Sequence, residues 1–252
     1  MRTRLLAGVP ALLLLATLTA CSDDGEDRIK ADNEPSAADS SSTDSGSPSP
    51  DSPGAAESSD GAESTGGTSC EFVPSGEPAR DVEPPQASTN LSGKIPAVIT
   101  TSIGKLKVTL DADKAPCTVA SFESLVEQGY YDDTSCHRQG NDPGFEFLQC
   151  GDPTGTGAGG PGYTIPDEID GSETYPAGTL AMANTGAPNS GGGQFFLVFG
   201  DSTFPPAYTV WGKIDPKSLA ALKKAASSGN QGAPGQGGQP NTPVTFKSIK
   251  VG

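Results

Sequence analysis

Apolar and polar positions along this chain fall into a regular order only from about Ile95 onward. Lys105-Leu106-Lys107-Val108-Thr109-Leu110 alternates strictly, which predicts a strand with one face buried. Pro116 then opens a stretch with Val119, Phe122, Leu125 and Val126 at helical spacing, ended by Gly129. Proline at the first position and glycine beyond the last predict a helix there. The later apolar runs are short: Phe145–Gln149, Thr179–Ala183, Gln194–Val198, Thr209–Lys213 and Val244–Val251, separated by Gly/Pro-rich turns. Asp215 and Pro216 suit an N-cap and first helical position, predicting a second helix to about Ala226. A Gly/Gln/Pro loop, Gly229 to Pro240, leads into the last run. Many short strands with two isolated helices predict an all-β fold, a closed barrel with helices over its ends.

Before Ile95 the pattern is of another kind. Arg2 and Arg4 precede an apolar run, Leu5 to Leu18, broken by Pro10 and ending in small residues before Cys21. That is the form of an export signal, and the run is short for a membrane span. Leu18-Thr19-Ala20-Cys21 resembles a bacterial lipobox, whose cysteine receives a diacylglyceryl group and becomes the first residue after cleavage. A soluble exported protein with a chance cysteine is the alternative. Two acyl chains are what stable anchoring requires, and the lipobox modification supplies them. The expected location is therefore the cell membrane, lipid-anchored on its extracytoplasmic face. From Ser22 to about Gly67 the chain is Ser, Asp, Gly, Pro, Ala and Glu with almost no large apolar residue. Such a segment cannot bury enough surface to offset the entropy of ordering, so disorder is expected. Residues 71–92, rich in Pro and Glu, are expected to continue it. The tether would span roughly 45–50 Å root-mean-square. The domains so read are a signal peptide over 1–20, a lipid-attachment cysteine with a disordered acidic linker over 21–92, and a folded domain over 93–252.

Composition agrees with this division. Only 33% of residues are hydrophobic, against 33 Gly and 23 Pro, too few for one core across 252 residues. The net charge of −15 is concentrated in the tether, where Ser22–Ser69 holds twelve Asp/Glu and two Lys/Arg. It speaks to solvation and self-repulsion, and no basic patch suits nucleic acid.

Several chemistries can be set aside. Gly155-Thr156-Gly157-Ala158-Gly159-Gly160 satisfies the spacing of a dinucleotide-binding turn, but Pro161-Gly162-Tyr163 follows in place of a helix. His137 is the single histidine, and no GxSxG elbow accompanies it, which argues against a serine hydrolase. Cys70, Cys117, Cys136 and Cys150 contain no CxxC pair, so no zinc site is expected. In an exported protein they favour two disulfides, with three pairings open. Simple alternation weakly disfavours Cys136–Cys150, placing the two on opposite strand faces. Asp111, Asp113, Asp132 and Asp133 lack the spacing of a calcium loop.

From Ser135 the chain reads SCHRQGNDPGFEFLQCGDPTGTGAGGPGYTIPDE and then GTLAMANTGAPNSGGGQFFLVFGDSTFPPAYTVWGKI. These blocks resemble the cyclophilin family, marked by an FHR-type strand, PGF…QGGD, a Gly-rich stretch and MANxGPNxxxSQFF; the resemblance covers roughly Ile95 to Val251. It implies a closed eight-stranded antiparallel barrel capped by two α-helices, and a peptidyl-prolyl cis–trans isomerase without cofactor or metal. Its partners would be proline-containing segments of exported or unfolded proteins, and the protein a monomer. Arg138 then looks like the catalytic arginine, with Gln149 the glutamine that binds substrate backbone. Phe196 looks like the aromatic member of the QFF strand and Gln194 its polar member, while alternation turns Phe195 into the core. Phe147 stands where the family usually has Met, and Phe145 competes for the neighbouring aromatic role. Ala183 and Asn184 match the pair that contacts substrate backbone. Phe204 falls where many members carry Trp, and Tyr208 where eukaryotic members carry His. Trp211 is read as core and His137 as structural. A module that binds Pro-containing segments with little turnover is the competing reading; a solute-binding lipoprotein would need a larger body.

Overall fold

The computed structural model describes residues 67–252. The signal peptide, Cys21 and most of the expected tether lie outside the described residues. In chain order the elements are β1 (Thr68–Ser69), β2 (Val73–Pro74), β3 (Ser88–Thr89), β4 (Lys94–Thr101), β5 (Gly104–Asp111), α1 (Pro116–Glu127), β6 (Arg138–Asp142) and β7 (Phe145–Cys150). They continue with β8 (Tyr163–Thr164), β9 (Thr179–Met182), β10 (Phe195–Val198), β11 (Val210–Ile214), α2 (Pro216–Ala226) and β12 (Phe246–Val251). The alternation in β5 is realised directly, with Leu106, Val108 and Leu110 buried and the lysines between them exposed. Eight strands form one antiparallel sheet in the order β12-β4-β5-β11-β9-β10-β7-β6.

Both helices form where the prolines place them. The Asp215 side chain accepts from the N–H groups of Lys217 and Ser218, capping α2 as its sequence predicts. α1 has no local side-chain cap. Its first free N–H groups, on Cys117 and Thr118, are bound instead by the two carboxylate oxygens of Glu168, each at 2.8 Å. A carboxylate at a helix N-terminus satisfies those donors and is favoured by the helix dipole. α1 buries Val119, Phe122 and Leu125 in the main core. There Phe122 packs on Trp211 at 4.8 Å and edge-on to Phe195 at 5.9 Å. Trp211 is therefore core.

The barrel is an open half-barrel and not the closed one expected. β6 and β12 end the sheet without pairing as strands. Around the start of each strand the chain segments are joined by Cys136 N–H to Val244 O (2.9 Å), Phe246 N–H to Thr134 O (2.7 Å) and a hydroxyl pair between Ser135 and Thr245 (2.8 Å). Along β6 the vacant edge is taken by the Gly/Gln/Pro loop, where Gln139 and Gly238 exchange both backbone hydrogen bonds. A short β6 paired with a loop cannot also pair with β12, so the sheet stops there.

A second difference concerns residues 67–92, expected to belong to the tether. They form an arm laid along the domain. β1 pairs with β3, and β2 pairs with β8. Phe72 meets Tyr163 edge-on at 5.6 Å, and Arg80 Nη1 donates to Gly129 O at 2.7 Å. The Cys70–Cys117 disulfide ties the arm to α1. Composition misleads here because a covalent bond and a few backbone pairings offset much of the ordering entropy that a poor apolar content cannot.

The second disulfide joins Cys136 and Cys150, the pairing that alternation disfavoured. Cys136 lies two residues before β6 and already donates its N–H to Val244, so the chain has left the ladder and strand alternation no longer governs its side chain. With Cys70 and Cys117 47 positions apart in sequence, the C70S/C117S double variant should lose about 2–4 kcal/mol of unfolding free energy in urea titration. An unchanged midpoint would show that the arm contributes nothing to the fold.

Candidate active site

Three neighbouring strands, β7, β10 and β9, carry buried residues on both faces. Leu148, Cys150, Leu180, Met182, Phe195 and Leu197 belong to the main core. The alternate residues Phe147, Ala181, Phe196 and Val198 form a second cluster with Tyr175 and Ala183, flanked by half-buried Phe145, Phe204, Tyr208 and Val210. Register brings the candidates together, with Phe196 directly opposite Gln149 on one side and Ala181 on the other. Arg138 is opposite Gln149 on the outer strand.

The aromatic rings form a continuous wall. Phe147 meets Phe145 at 4.8 Å and Phe196 at 5.0 Å, both nearly edge-on. Phe204 and Tyr208 lie 5.8 Å and 5.3 Å from Phe196. The competition between Phe145 and Phe147 resolves into two positions: Phe147 is 1% exposed and makes the floor, while Phe145 remains half-buried at the rim. Gly140 is required beneath them, since a Cβ there would stand 2.7 Å from atoms of both rings and 2.4 Å from Phe145 O.

Arg138 lies beside this wall, its guanidinium carbon 5.4 Å and 5.2 Å from the Phe145 and Phe147 ring centres. Nε and Nη2 donate to Gln236 O at 3.0 and 2.9 Å, and Nη1 donates to Gln149 Oε1 at 3.3 Å. A guanidinium has five N–H donors; three are used, and two have no protein partner among the described residues. Burial lowers the Arg138 pKa, against which the nearby Tyr208 acts, but arginine stays a cation at any working pH. Gln149 Nε2 in turn donates to Gln194 Oε1 at 2.8 Å, and Gln194 Nε2 to the carbonyls of Gly157 and Gly159 at 2.9 Å each. This relay sets the orientation of both amides and leaves one Gln149 N–H unclaimed.

Ala183 donates its backbone N–H to Gln194 O, at 3.0 Å. The Asn184 side chain donates to Ala207 O at 2.8 Å and so holds the loop bearing Phe204 and Tyr208. Asn184 Oδ1 accepts from Gly186 N–H at 3.1 Å, so the side chain is fixed at both ends while one of its N–H groups has no partner among the described residues. His137 packs against Gly157, with burial lowering its pKa, Asp152 opposing and Arg138 reinforcing the shift.

Two residues of the site escaped the sequence. Tyr175, 2% exposed, shares its hydroxyl hydrogen between the carbonyls of Pro205 (3.2 Å) and Tyr208 (3.1 Å) and accepts from Tyr208 N–H at 3.0 Å. Gln236 acts through its carbonyl, which no side-chain pattern reveals. The isolated aromatic at 175, outside any periodic run, was the one signal available.

Residues 97–251 match the family model described as cyclophilin type peptidyl-prolyl cis-trans isomerase/CLD. The chain belongs to this family. Among its relatives is the probable peptidyl-prolyl cis-trans isomerase B of Mycobacterium leprae, 40% identical over 205 residues and covering 73% of this chain and 67% of that protein. The Mycobacterium tuberculosis (H37Rv) protein of the same description is 40% identical over 202 residues, covering 73% of this chain and 64% of that protein. The chain thus spans about two thirds of the length of these relatives. A crystal structure of a Cryptosporidium parvum cyclophilin type peptidyl-prolyl cis-trans isomerase superposes with a TM-score of 0.53 at 30% identity, covering 64% of this chain and 98% of the other. The same Cryptosporidium protein, crystallised in the presence of the dipeptide Ala-Pro, gives 0.50 at 29% identity, with 62% and 98% covered. The cyclophilin domain therefore accounts for the sheet, both helices and the aromatic wall, while the arm lies outside the family match.

Tyr175→Phe leaves two carbonyls and one N–H of the 205–208 loop without their shared partner. The loss should be about 1–2 kcal/mol in stability. Peptide affinity should fall as Phe204 and Tyr208 loosen, measurable by fluorescence titration with a Pro-containing peptide. Unaltered affinity would show that the loop holds itself.

Proposed function

We propose that the domain accelerates rotation about X-Pro peptide bonds without forming any covalent intermediate. The barrier to that rotation, about 18–20 kcal/mol, arises from the partial double-bond character of the C–N bond. Uncatalysed X-Pro isomerisation takes tens of seconds or more. Lowering the barrier requires a grip on the proline ring and groups that favour the twisted amide, whose nitrogen regains a lone pair and whose carbonyl swings.

In this reading Phe145, Phe147, Phe196 and Phe204 hold the ring, with Tyr208 at the edge. The two unclaimed N–H groups of Arg138 face the amide, one stabilising the pyramidal nitrogen or the moving carbonyl oxygen. Gln149, oriented by Gln194, and the backbone at Ala183–Asn184 fix the flanking peptide. The donors are set before substrate arrives, so little reorganisation is needed during rotation. The observation that carries the reading is Arg138 itself: a permanently charged fork, anchored by Gln236 and Gln149 with two donors to spare, beside a wall of aromatic rings.

Arg138→Ala should cost on the order of 10²-fold or more in kcat/KM in a protease-coupled isomerisation assay, by analogy with loss of other preorganised donors. A folded protein that binds the peptide but never accelerates its isomerisation would replace the enzyme by a binding module.

The substrates proposed are exported proteins, reached from a lipid anchor at Cys21 through the acidic tether. The lipobox-like Leu18–Cys21 supports this placement. Labelled palmitate should enter the protein in bacterial cells and be lost in Cys21→Ser, with release of that variant from the membrane fraction. Equal membrane retention of the variant would sink the anchor.

A further inference from the structure

A groove of about 580 Å³ adjoins the site, sharing Gln149, Ala183, Asn184 and Gln194 with it. One side of the groove is the Gly-rich segment from Gly157 to Pro161, with Ser190–Gly193 beside it. Its remaining wall comes from the arm, at Ser75, Gly76 and Glu77, which the family match does not include.

The arm is held there on both strands of its path. Val73 and Pro74 pair with Thr164 and Tyr163. Ser75 N–H donates to Gly162 O and Ala79 N–H to Gly160 O, each at 2.8 Å. Pro78 lies directly over Gly162, where φ is +82° and a Cβ would stand 3.1 Å from the proline ring. No other residue at 162 would give both that backbone and that approach without strain. Upstream, the disulfide to Cys117 prevents the arm from drifting.

Among the residues lining the groove, Glu77 alone carries a formal charge at neutral pH. The rest are glycine, alanine, proline, hydroxyls and amides, with Tyr163 buried. Glu77 has no ion-pair or hydrogen-bond partner among the described residues. A peptide whose proline occupies the aromatic pocket and whose backbone meets Gln149 and Asn184 must send one of its flanks into this groove. There it encounters a single negative charge on an otherwise neutral surface.

We propose that the arm is a specificity element, and that Glu77 selects substrates with a lysine or arginine on the flank entering the groove. This rests on the assignment of Arg138, Gln149 and the aromatic wall as the X-Pro site. The pair formed is exposed, so the selection is modest and sensitive to salt.

The test uses the full chain and a set of Pro peptides with Lys, Ala or Glu placed in turn at each flanking position. Both kcat/KM for isomerisation and peptide affinity are measured. At one flank the Lys peptide should be preferred over its Glu counterpart by roughly two- to five-fold, the scale of an exposed ion pair. That ratio should fall to unity in Glu77→Gln, invert in Glu77→Lys, and shrink at about 1 M salt, where the Debye length is near 3 Å. A ratio of unity at every position in the wild type, or one that persists in Glu77→Gln, overturns the proposal while leaving turnover of the Ala peptides as the separate test of the isomerase. Absent turnover with a Glu77-dependent Lys preference in affinity would do the reverse.

Discussion

Pairing of Phe196 with Gln149 across β10 and β7 is the constraint on which the site depends. Once that register is set, strand alternation leaves no freedom: Phe195 must enter the core with Leu148 and Leu197, and Phe147 must stand with Phe196 on the opposite face. A slip of β10 by one residue would exchange its two sets, sending Gln194 and Phe196 toward the main core and Phe195 and Leu197 onto the pocket face. Such a slip would bury an amide without partners, at a cost of about 1–3 kcal/mol, and strand several aromatic rings in water. The main core therefore enforces the geometry of the functional face.

That face needs its own support because it is polar at one end and aromatic at the other. At the polar end the relay from Arg138 through Gln149 to Gln194 and the Gly157 and Gly159 carbonyls orients each group in turn. At the aromatic end Tyr175 and Asn184 hold the 205–208 loop from beneath and from the side. These two sets of bonds do different work. The first orients donors, and the second keeps half-buried rings from collapsing onto one another.

The parts of the fold legible in the sequence are those that local rules determine. Pro116 and Pro216 mark both helix starts, Leu106–Val108–Leu110 marks a half-buried strand, and Phe195–Phe196 announces two buried faces. Where the outcome depends on a distant segment, reading fails. Closure of the barrel turned on whether a Gly-rich loop would occupy the edge of β6, and composition says nothing of that. The arm looked like tether because its stabilising contacts are a disulfide and backbone pairings, neither visible as apolar periodicity. Tyr175 and the Gln236 carbonyl belong to the same class. Each acts on residues far along the chain, through groups that carry no motif.

Rotation of an amide transfers no proton and breaks no bond, so a site for it depends on where its donors and rings are held. In the proposed mechanism Arg138 and Gln149 are the two polar groups whose spacing matters most, and they lie on different strands. Cys136 precedes Arg138 by two residues, and Cys150 follows Gln149 directly. The bond between these cysteines thus closes the β6–β7 pair at the end where the guanidinium meets the amide. Edge strand β6 has only a loop on its outer side, and edge strands with few partners open most readily. A covalent tie at that point opposes such opening where it would separate Arg138 from Gln149. The cross-link that simple alternation disfavours is thereby placed where the proposed chemistry most needs a fixed distance.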